Sequence, residues 1–152
     1  MVLNKHYISW EIFHKDVLEL SKKIAHIIKK EQIKGIVTIT RGALVPSAII
    51  ANEFNIRKIE AISLKSYDKN QRQCDIEVLS LPYEALKERG NNWIIIDELV
   101  DTGNTLAYIE NLMPKALFFS VYLKEIKFPY LKSYVKSFSQ DTWLVFPWEK
   151  DS

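Results

Sequence analysis

The chain has 152 residues, 47% of them hydrophobic and 26% charged, the balance of a globular protein able to bury a substantial core. Its formal net charge is only +2, with lysines and glutamates interspersed, so the charge gives no case for nucleic acid as a partner. A lone cysteine, Cys74, excludes an internal disulfide. No stretch has the apolar length of a transmembrane segment, and residues 1–7 lack the apolar centre of an export signal. These features lead us to expect one domain over residues 1–152 in a reducing, cytoplasmic setting, with peripheral membrane association left open.

In chain order, Ser9 is placed to cap a long first helix. Phe13, Val17, Leu20, Ile24 and Ile27 follow at steps of four and three, one apolar stripe for a core or a subunit interface. Lys15, Glu19, Lys22 and Lys23 form the solvated side. His6, His14 and His26 have no metal-ligand spacing. Gly35 interrupts the chain before residues 36–40, a short β-rich run. That run leads through Arg41 and Gly42 into a helix expected over 48–54, with Pro46 near its first turn. Residues 59–65 alternate like a strand, and residues 76–79 read as another. The stretch between them, 66–75, is polar and has no apolar face, as in a mobile lid. Residues 81–89 read as a short helix or turn, stopped by Gly90, Asn91 and Asn92.

The most informative stretch is 93–106. Trp93, Ile94, Ile95 and Ile96 form an unbroken apolar run, as in a strand buried on both faces, and end at two adjacent acids, Asp97 and Glu98. After Leu99 and Val100 comes Asp101-Thr102-Gly103-Asn104-Thr105. Leu106, Ile109 and Leu112 then recur at helical spacing. A strand, a tight polar loop and a helix N-terminus present free main-chain N–H groups and the positive end of a helix dipole, which suit a phosphate. Thr102 and Thr105 add hydroxyl donors, and Gly103 allows close approach. Carboxylates repel phosphate, so Asp97 and Glu98 must serve differently, either accepting from sugar hydroxyls or holding a metal through water. A sugar phosphate satisfies both halves.

Downstream, Pro114 ends the helix, and residues 117–123 read as a buried strand with Lys124 at its end. Residues 134–138 read as a short strand, and residues 140–148 close the chain with two tryptophans. Strands separated by helices, with the motifs at strand ends, describe an open α/β sheet that binds its ligand at the strands' carboxyl edge.

The 94–106 stretch resembles the phosphoribosyl-pyrophosphate motif of the type I phosphoribosyltransferases. Thr40-Arg41-Gly42-Ala43-Leu44-Val45-Pro46, Ser66-Tyr67, Pro114-Lys115-Ala116, Lys124, Gln140-Asp141-Thr142-Trp143 and Pro147-Trp148 extend the likeness over nearly the whole chain, in the family's order. They resemble the bacterial xanthine-guanine branch, while Lys65-Ser66-Tyr67 with Asp75-Ile76 is also similar to the hypoxanthine-guanine branch. The sequence leaves the two branches unseparated.

The resemblance implies a mainly parallel sheet flanked by helices with a small hood from the terminal segments. It implies a purine-salvage enzyme that moves the phosphoribosyl group of phosphoribosyl pyrophosphate to guanine, xanthine or hypoxanthine, with Mg2+. In that scheme Arg41 and Gly42 hold pyrophosphate, and Thr102, Gly103, Asn104 and Thr105 cradle the 5′-phosphate. Asp97 and Glu98 meet the ribose hydroxyls and the metal. Asp101 accepts the purine proton, which does not exclude helix capping. Lys124 reads the 6-oxo group, Trp143 stacks on the base, and the Leu144 main chain meets the 2-substituent. A core position for Trp143 carries nearly equal weight. Lys65, Ser66 and Tyr67 belong to the flap, and a homodimer or homotetramer is implied. Asp97-Glu98 stands where relatives carry Asp-Asp or Glu-Asp. Val145 and Phe146 replace an expected polar pair, and the chain stops sooner after Trp148 than relatives with an extended tail. Two other readings are a non-catalytic donor-sensing regulator and a nucleotide hydrolase. The first lacks an added nucleic-acid-binding segment, and the second lacks a Gly-x-x-x-x-Gly-Lys-Ser/Thr loop.

Overall fold

The computed structural model describes residues 4–68 and 74–150. Its elements run β1 (Asn4–Tyr7), α1 (Trp10–Lys30), β2 (Gly35–Thr40), α2 (Leu44–Phe54), β3 (Lys58–Asp68), β4 (Cys74–Ser80) and α3 (Tyr83–Lys87). There follow β5 (Trp93–Val100), α4 (Asn104–Leu112), β6 (Leu117–Lys124), β7 (Leu131–Ser133), β8 (Lys136–Phe138) and β9 (Thr142–Val145).

The main sheet has the order β4-β3-β2-β5-β6-β7, with β8 also paired to β6. All its pairings are parallel except β3 with β4. The apolar runs explain the centre: residues 36–39 of β2, 93–97 of β5 and 118–124 of β6 are buried throughout, as strands covered on both faces must be. From β2 the chain crosses to β3, whereas from β5 it crosses to β6 on the opposite side. The boundary between β2 and β5 is therefore a topological switch point, and a crevice opens there at the carboxyl ends. Terminal segments form a separate two-stranded parallel sheet, β1 with β9, which is the hood.

Local chemistry accounts for the helices. Ser9 caps α1, its hydroxyl accepting from the Ile12 N–H at 3.1 Å. Phe13, Val17, Leu20 and Ile24 are buried as the stripe requires; at the last turn Ile28 takes the fully buried place and Ile27 only borders the core. Helix α2 begins earlier than its periodicity implied, at Leu44, with Pro46 in its first turn. Strand β1 escaped the sequence reading because all four of its residues are exposed and carry no apolar signal. Of the strand expected over 134–138 only 136–138 forms, as β8; β7, just before it, is an additional short strand, and both pair with β6. The Val135 N–H donates to Val121 O at 2.9 Å.

The polar stretch 66–75 is shorter as a loop than its composition suggested. Strand β3 runs on to Asp68 and β4 begins at Cys74, with Lys65 opposite Glu77 and Tyr67 opposite Asp75. Main-chain pairing there needs no apolar face. Residues 69–73 lie outside the described residues, as do the side chains of Ser66 and Tyr67, so the expected lid falls largely on them. No helix among the described residues is long and apolar enough to cross a membrane.

Candidate active site

Strand β5 passes through both acids and ends only at Val100, because Leu99 and Val100 still pair with Tyr122 and Leu123 of β6. Asp97 and Glu98 thus lie inside the strand rather than past its end, and although adjacent strand residues start out toward opposite faces, their carboxyl groups meet. Asp97 is buried, and its Oδ1 accepts from the Glu98 N–H at 2.9 Å. Burial raises its carboxyl above the ordinary value. Glu98, half-buried, is pushed well above its ordinary value by burial first and then by the neighbouring Asp97 charge. Two desolvated acids side by side are a donor pair waiting for a cation or for hydroxyls.

The loop after β5 spans only Asp101, Thr102 and Gly103, since α4 starts at Asn104. Gly103 occupies the N-cap with φ +85° and has no side chain to cap the helix, which leaves room for a ligand at the helix N-terminus. Thr102 Oγ1 accepts from the Asn104 N–H at 3.3 Å, which closes the turn. A pocket of about 90 Å³ sits here, lined by Asp97, Leu99, Val100, Asp101, Thr102, Gly103, Thr105 and Leu106. Asp97 and most of residues 99–106 therefore converge on one small concavity with a helix N-terminus as its floor.

Across the switch point, the loop after β2 brings Arg41 and Gly42 against Glu98. Arg41 is exposed, and the Thr40–Arg41 peptide bond is cis. A methyl group built on Gly42 would overlap the Glu98 carboxylate, so a side chain here would push that carboxylate aside. Arg41, Gly42 and Glu98 line a crevice of about 730 Å³ together with Trp148, Glu149 and Lys150. Sequence reasoning missed Glu149 and Lys150. They carry no motif spacing, and only the packing of Trp148 on Phe13 and Phe146 brings the terminal turn to the crevice.

Lys124, the last residue of β6, is buried. Its ammonium donates to the main-chain carbonyls of Thr142 and, at 3.4 Å, Gln140. Gln140 Nε2 in turn donates to Asp101 O at 3.4 Å. The turn before β9 is thus tied to both the base of β6 and the loop after β5. Trp143, next to Thr142, is 53% exposed, which removes the core alternative for it; Trp93 is the fully buried tryptophan. In a parallel ladder alternate residues face the partner strand. Ile8 N donates to Val145 O at 2.9 Å, so Trp143 and Val145 face β1 and the Leu144 carbonyl turns the other way. Lys65 stands exposed on β3, two residues beyond the Ser63 that pairs with Thr40 at the end of β2.

Residues 6–147 match the model of the phosphoribosyl transferase domain. The chain belongs to that family. A xanthine-guanine phosphoribosyltransferase of Desulfotalea psychrophila is 41% identical over 146 residues, covering 95% of this chain and 86% of that protein. Among solved structures, a purine phosphoribosyltransferase from Pyrococcus horikoshii superposes with a TM-score of 0.77 at 22% identity, covering 97% and 96% of the two chains. The xanthine-guanine-hypoxanthine phosphoribosyltransferase of Helicobacter pylori gives 0.75 at 23%, covering 96% and 94%. At these identities the two structures speak for the fold: a mainly parallel sheet with flanking helices.

Proposed function

We propose that this protein is a purine-salvage phosphoribosyltransferase. It joins a ring nitrogen of guanine, xanthine or hypoxanthine to C1 of phosphoribosyl pyrophosphate and releases pyrophosphate. The observation that carries this reading is the convergence at one switch point of a phosphate-sized pocket at a glycine-capped helix N-terminus, a desolvated acid pair and an arginine loop. A buried lysine at the end of β6 and an exposed tryptophan on the hood lie beside them. The relatives named above are transferases, which favours this reading over a donor-sensing regulator.

The 5′-phosphate fits the pocket lined by Thr102, Gly103 and Thr105, with Asn104 between them in the chain, where main-chain N–H groups and threonine hydroxyls donate. Arg41, with its planar fork, and the Gly42 N–H meet the pyrophosphate. Asp97 and Glu98 accept from the ribose hydroxyls. As the bond to the leaving group lengthens, C1 takes on oxocarbenium character and negative charge builds on the pyrophosphate. Asp101 accepts the proton of the attacking nitrogen. Trp143 stacks on the base, Lys124 donates to its 6-oxo group, and the outward Leu144 carbonyl accepts from the 2-substituent.

Among the described residues no group of three or more His, Cys, Asp or Glu converges on a metal position. Two hard carboxylate donors suit a Mg2+ shared with substrate oxygens and water rather than a cage of protein ligands. Asp97 and Glu98 would hold it, and bound Mg2+ supplies charge neutralisation on the pyrophosphate. The buried residues from both terminal segments and the main sheet join one cluster, which supports treating 1–152 as a single phosphoribosyltransferase domain. A cytoplasmic homodimer or homotetramer completes the proposal, with no nucleic acid partner. The test is pyrophosphate release from the sugar donor with guanine, xanthine, hypoxanthine, adenine and uracil in turn. Release with the 6-oxopurines and little with adenine is expected; release with uracil alone would overturn it.

A further inference from the structure

Helix α1 carries one buried charge, Asp16, whose side chain is 3% exposed. Burying a lone carboxylate among rings is costly, and here Phe13, Phe138 and Phe146 all lie against Tyr122. Two partners answer Asp16. The Tyr122 hydroxyl donates to its Oδ2 at 2.6 Å, and the Lys136 ammonium reaches the same oxygen at 3.1 Å. Burial, and then the bond to Asp16, raise the Tyr122 phenol above its ordinary value and keep it the donor.

The two partners are opposite each other across a strand pair. Tyr122 of β6 faces Lys136 of β8, and two residues further on Lys124 faces Phe138. One carboxylate of α1 therefore clamps a rung about 7 Å behind the lysine that closes the base pocket. A second tie from the same helix lies two turns on, where Lys23 Nζ donates to Tyr134 O at 3.0 Å. Past Phe138, whose carbonyl accepts from the Glu125 N–H at 2.9 Å, the chain turns through Ser139 and Gln140 to Thr142. The carbonyls of Gln140 and Thr142 are the ones that hold the Lys124 ammonium. The lysine is thus fixed from both ends: by β6 at its Cα, and at its tip by a turn whose position depends on β8.

We infer that Asp16, Tyr122 and Lys136 form a positioning network that sets the height of Lys124 and of the Trp143 strand against the purine. It acts on base binding and base choice, and leaves the donor site, built on β2, β5 and α4, alone. An apolar trio of similar shape would hold α1 on the sheet equally well. A directional carboxylate bonded to both strands adds a fixed rung. The inference rests on the assignment of Lys124 to the base.

The test compares wild type with Lys136→Met and Tyr122→Phe. Lys136 is half-exposed, so its loss spares the core, and Tyr122→Phe removes a single oxygen. The KM of guanine is measured at saturating donor, the KM of the donor at saturating guanine, and the guanine-to-xanthine ratio of kcat/KM alongside. Displacement by a fraction of an ångström at a reacting group has large effects on rate or binding. We expect the guanine KM to rise about tenfold in both variants, with a changed guanine-to-xanthine ratio and a donor KM within about twofold of wild type. Lys136→Arg, which returns a cation to Asp16, should restore most of the loss. A guanine KM that does not move in either folded variant overturns the network, as does an equal rise in both KM values. A wild type that transfers to no purine sinks the underlying assignment as well, which separates the two failures.

Discussion

The buried Lys124 ammonium donates to the main-chain carbonyl of Thr142, the residue before Trp143, so one cation holds together the floor and the stacking wall of the proposed base pocket. An ammonium has three N–H groups; Thr142 and Gln140 take two, and one is left for a ligand oxygen. A 6-oxo group accepts it, whereas the amino group of adenine meets it donor to donor. Losing a charge-assisted bond costs roughly 1.5–3 kcal/mol, and leaving the charge poorly matched adds to that. Lys124→Met should lower kcat/KM for guanine by about a hundredfold or more. The already low activity with adenine should change little. A wild type that uses adenine as readily as guanine removes Lys124 from base selection.

Asp101 gives a cleaner separation of chemistry from binding. It is exposed at the mouth of the phosphate pocket, and its carbonyl is tied to Gln140, so the loop does not depend on the carboxylate. Asp101→Asn keeps the shape and removes the proton acceptor. Turnover should fall by ~100-fold, in the range of a lost general base, while donor affinity measured by calorimetry stays near wild type. Unchanged turnover in the folded variant takes Asp101 out of the mechanism.

Several parts of this architecture were readable from the residues alone because they rest on local chemistry. The apolar run 93–96, the polar turn at 101–103 and the helical spacing of Leu106 and Ile109 each have one good local solution, and they place the strand, turn and helix that line the small pocket before any tertiary contact is known. Other parts depend on partners far away in sequence. Strand β1 is defined only by pairing with β9, 138 residues later by the register of Asn4 with Thr142, and its four exposed residues offer no pattern. The extension of β5 through Asp97 and Glu98 follows from pairing with β6, not from the acids, which look like a strand end. Glu149 and Lys150 reach the crevice only because Trp148 stacks on Phe146 with ring centroids 4.9 Å apart. Asp16 reads as one more polar residue of α1 until Tyr122 and Lys136 are found beside it.

The two loop glycines should respond differently to an added methyl. At Gly42 the added Cβ meets only the carboxylate tip of Glu98, a flexible side chain that can swing away. The fold should tolerate Gly42→Ala, and the displaced Glu98 should weaken donor binding by about tenfold, the loss expected when a group around a metal is disturbed. At Gly103 the backbone has φ +85°, and a Cβ would come within 3.2 Å of Phe128 and 3.3 Å of Ile126. Gly103→Ala should therefore cost about 1–3 kcal/mol of stability for a non-glycine residue held in that region. Thermal melts of the two variants, read with donor titrations, check the contrast. Equal destabilisation of both would contradict it.

Glu98 should trade stability against function. Burial and the adjacent Asp97 carboxylate raise its proton affinity in the folded chain well above the ordinary value of 4.5. The sign follows from linkage: the folded state binds that proton more tightly than the unfolded state, so protonation favours folding. That contribution is fully present below the ordinary value and is lost as pH rises through the raised one. Above that raised value the ligand-free protein carries a destabilising charge pair. Glu98→Gln removes the charge, keeps the length and gives Asp97 an amide donor. On the alkaline side of the raised value its melting midpoint should lie about 2–4 °C above wild type, the shift of about 1 kcal/mol in a chain this size. Below pH 4.5, where the glutamate is protonated in both states, the two melting curves should converge. Donor binding in the presence of Mg2+ should weaken at the same time, because the amide is a poorer partner for a hard cation and for ribose hydroxyls. Scanning calorimetry across pH, paired with donor titrations, reads both effects on one sample. A variant less stable than wild type across the whole alkaline range, or one that binds donor as tightly, would show that the Glu98 carboxylate is held by partners other than the crevice itself.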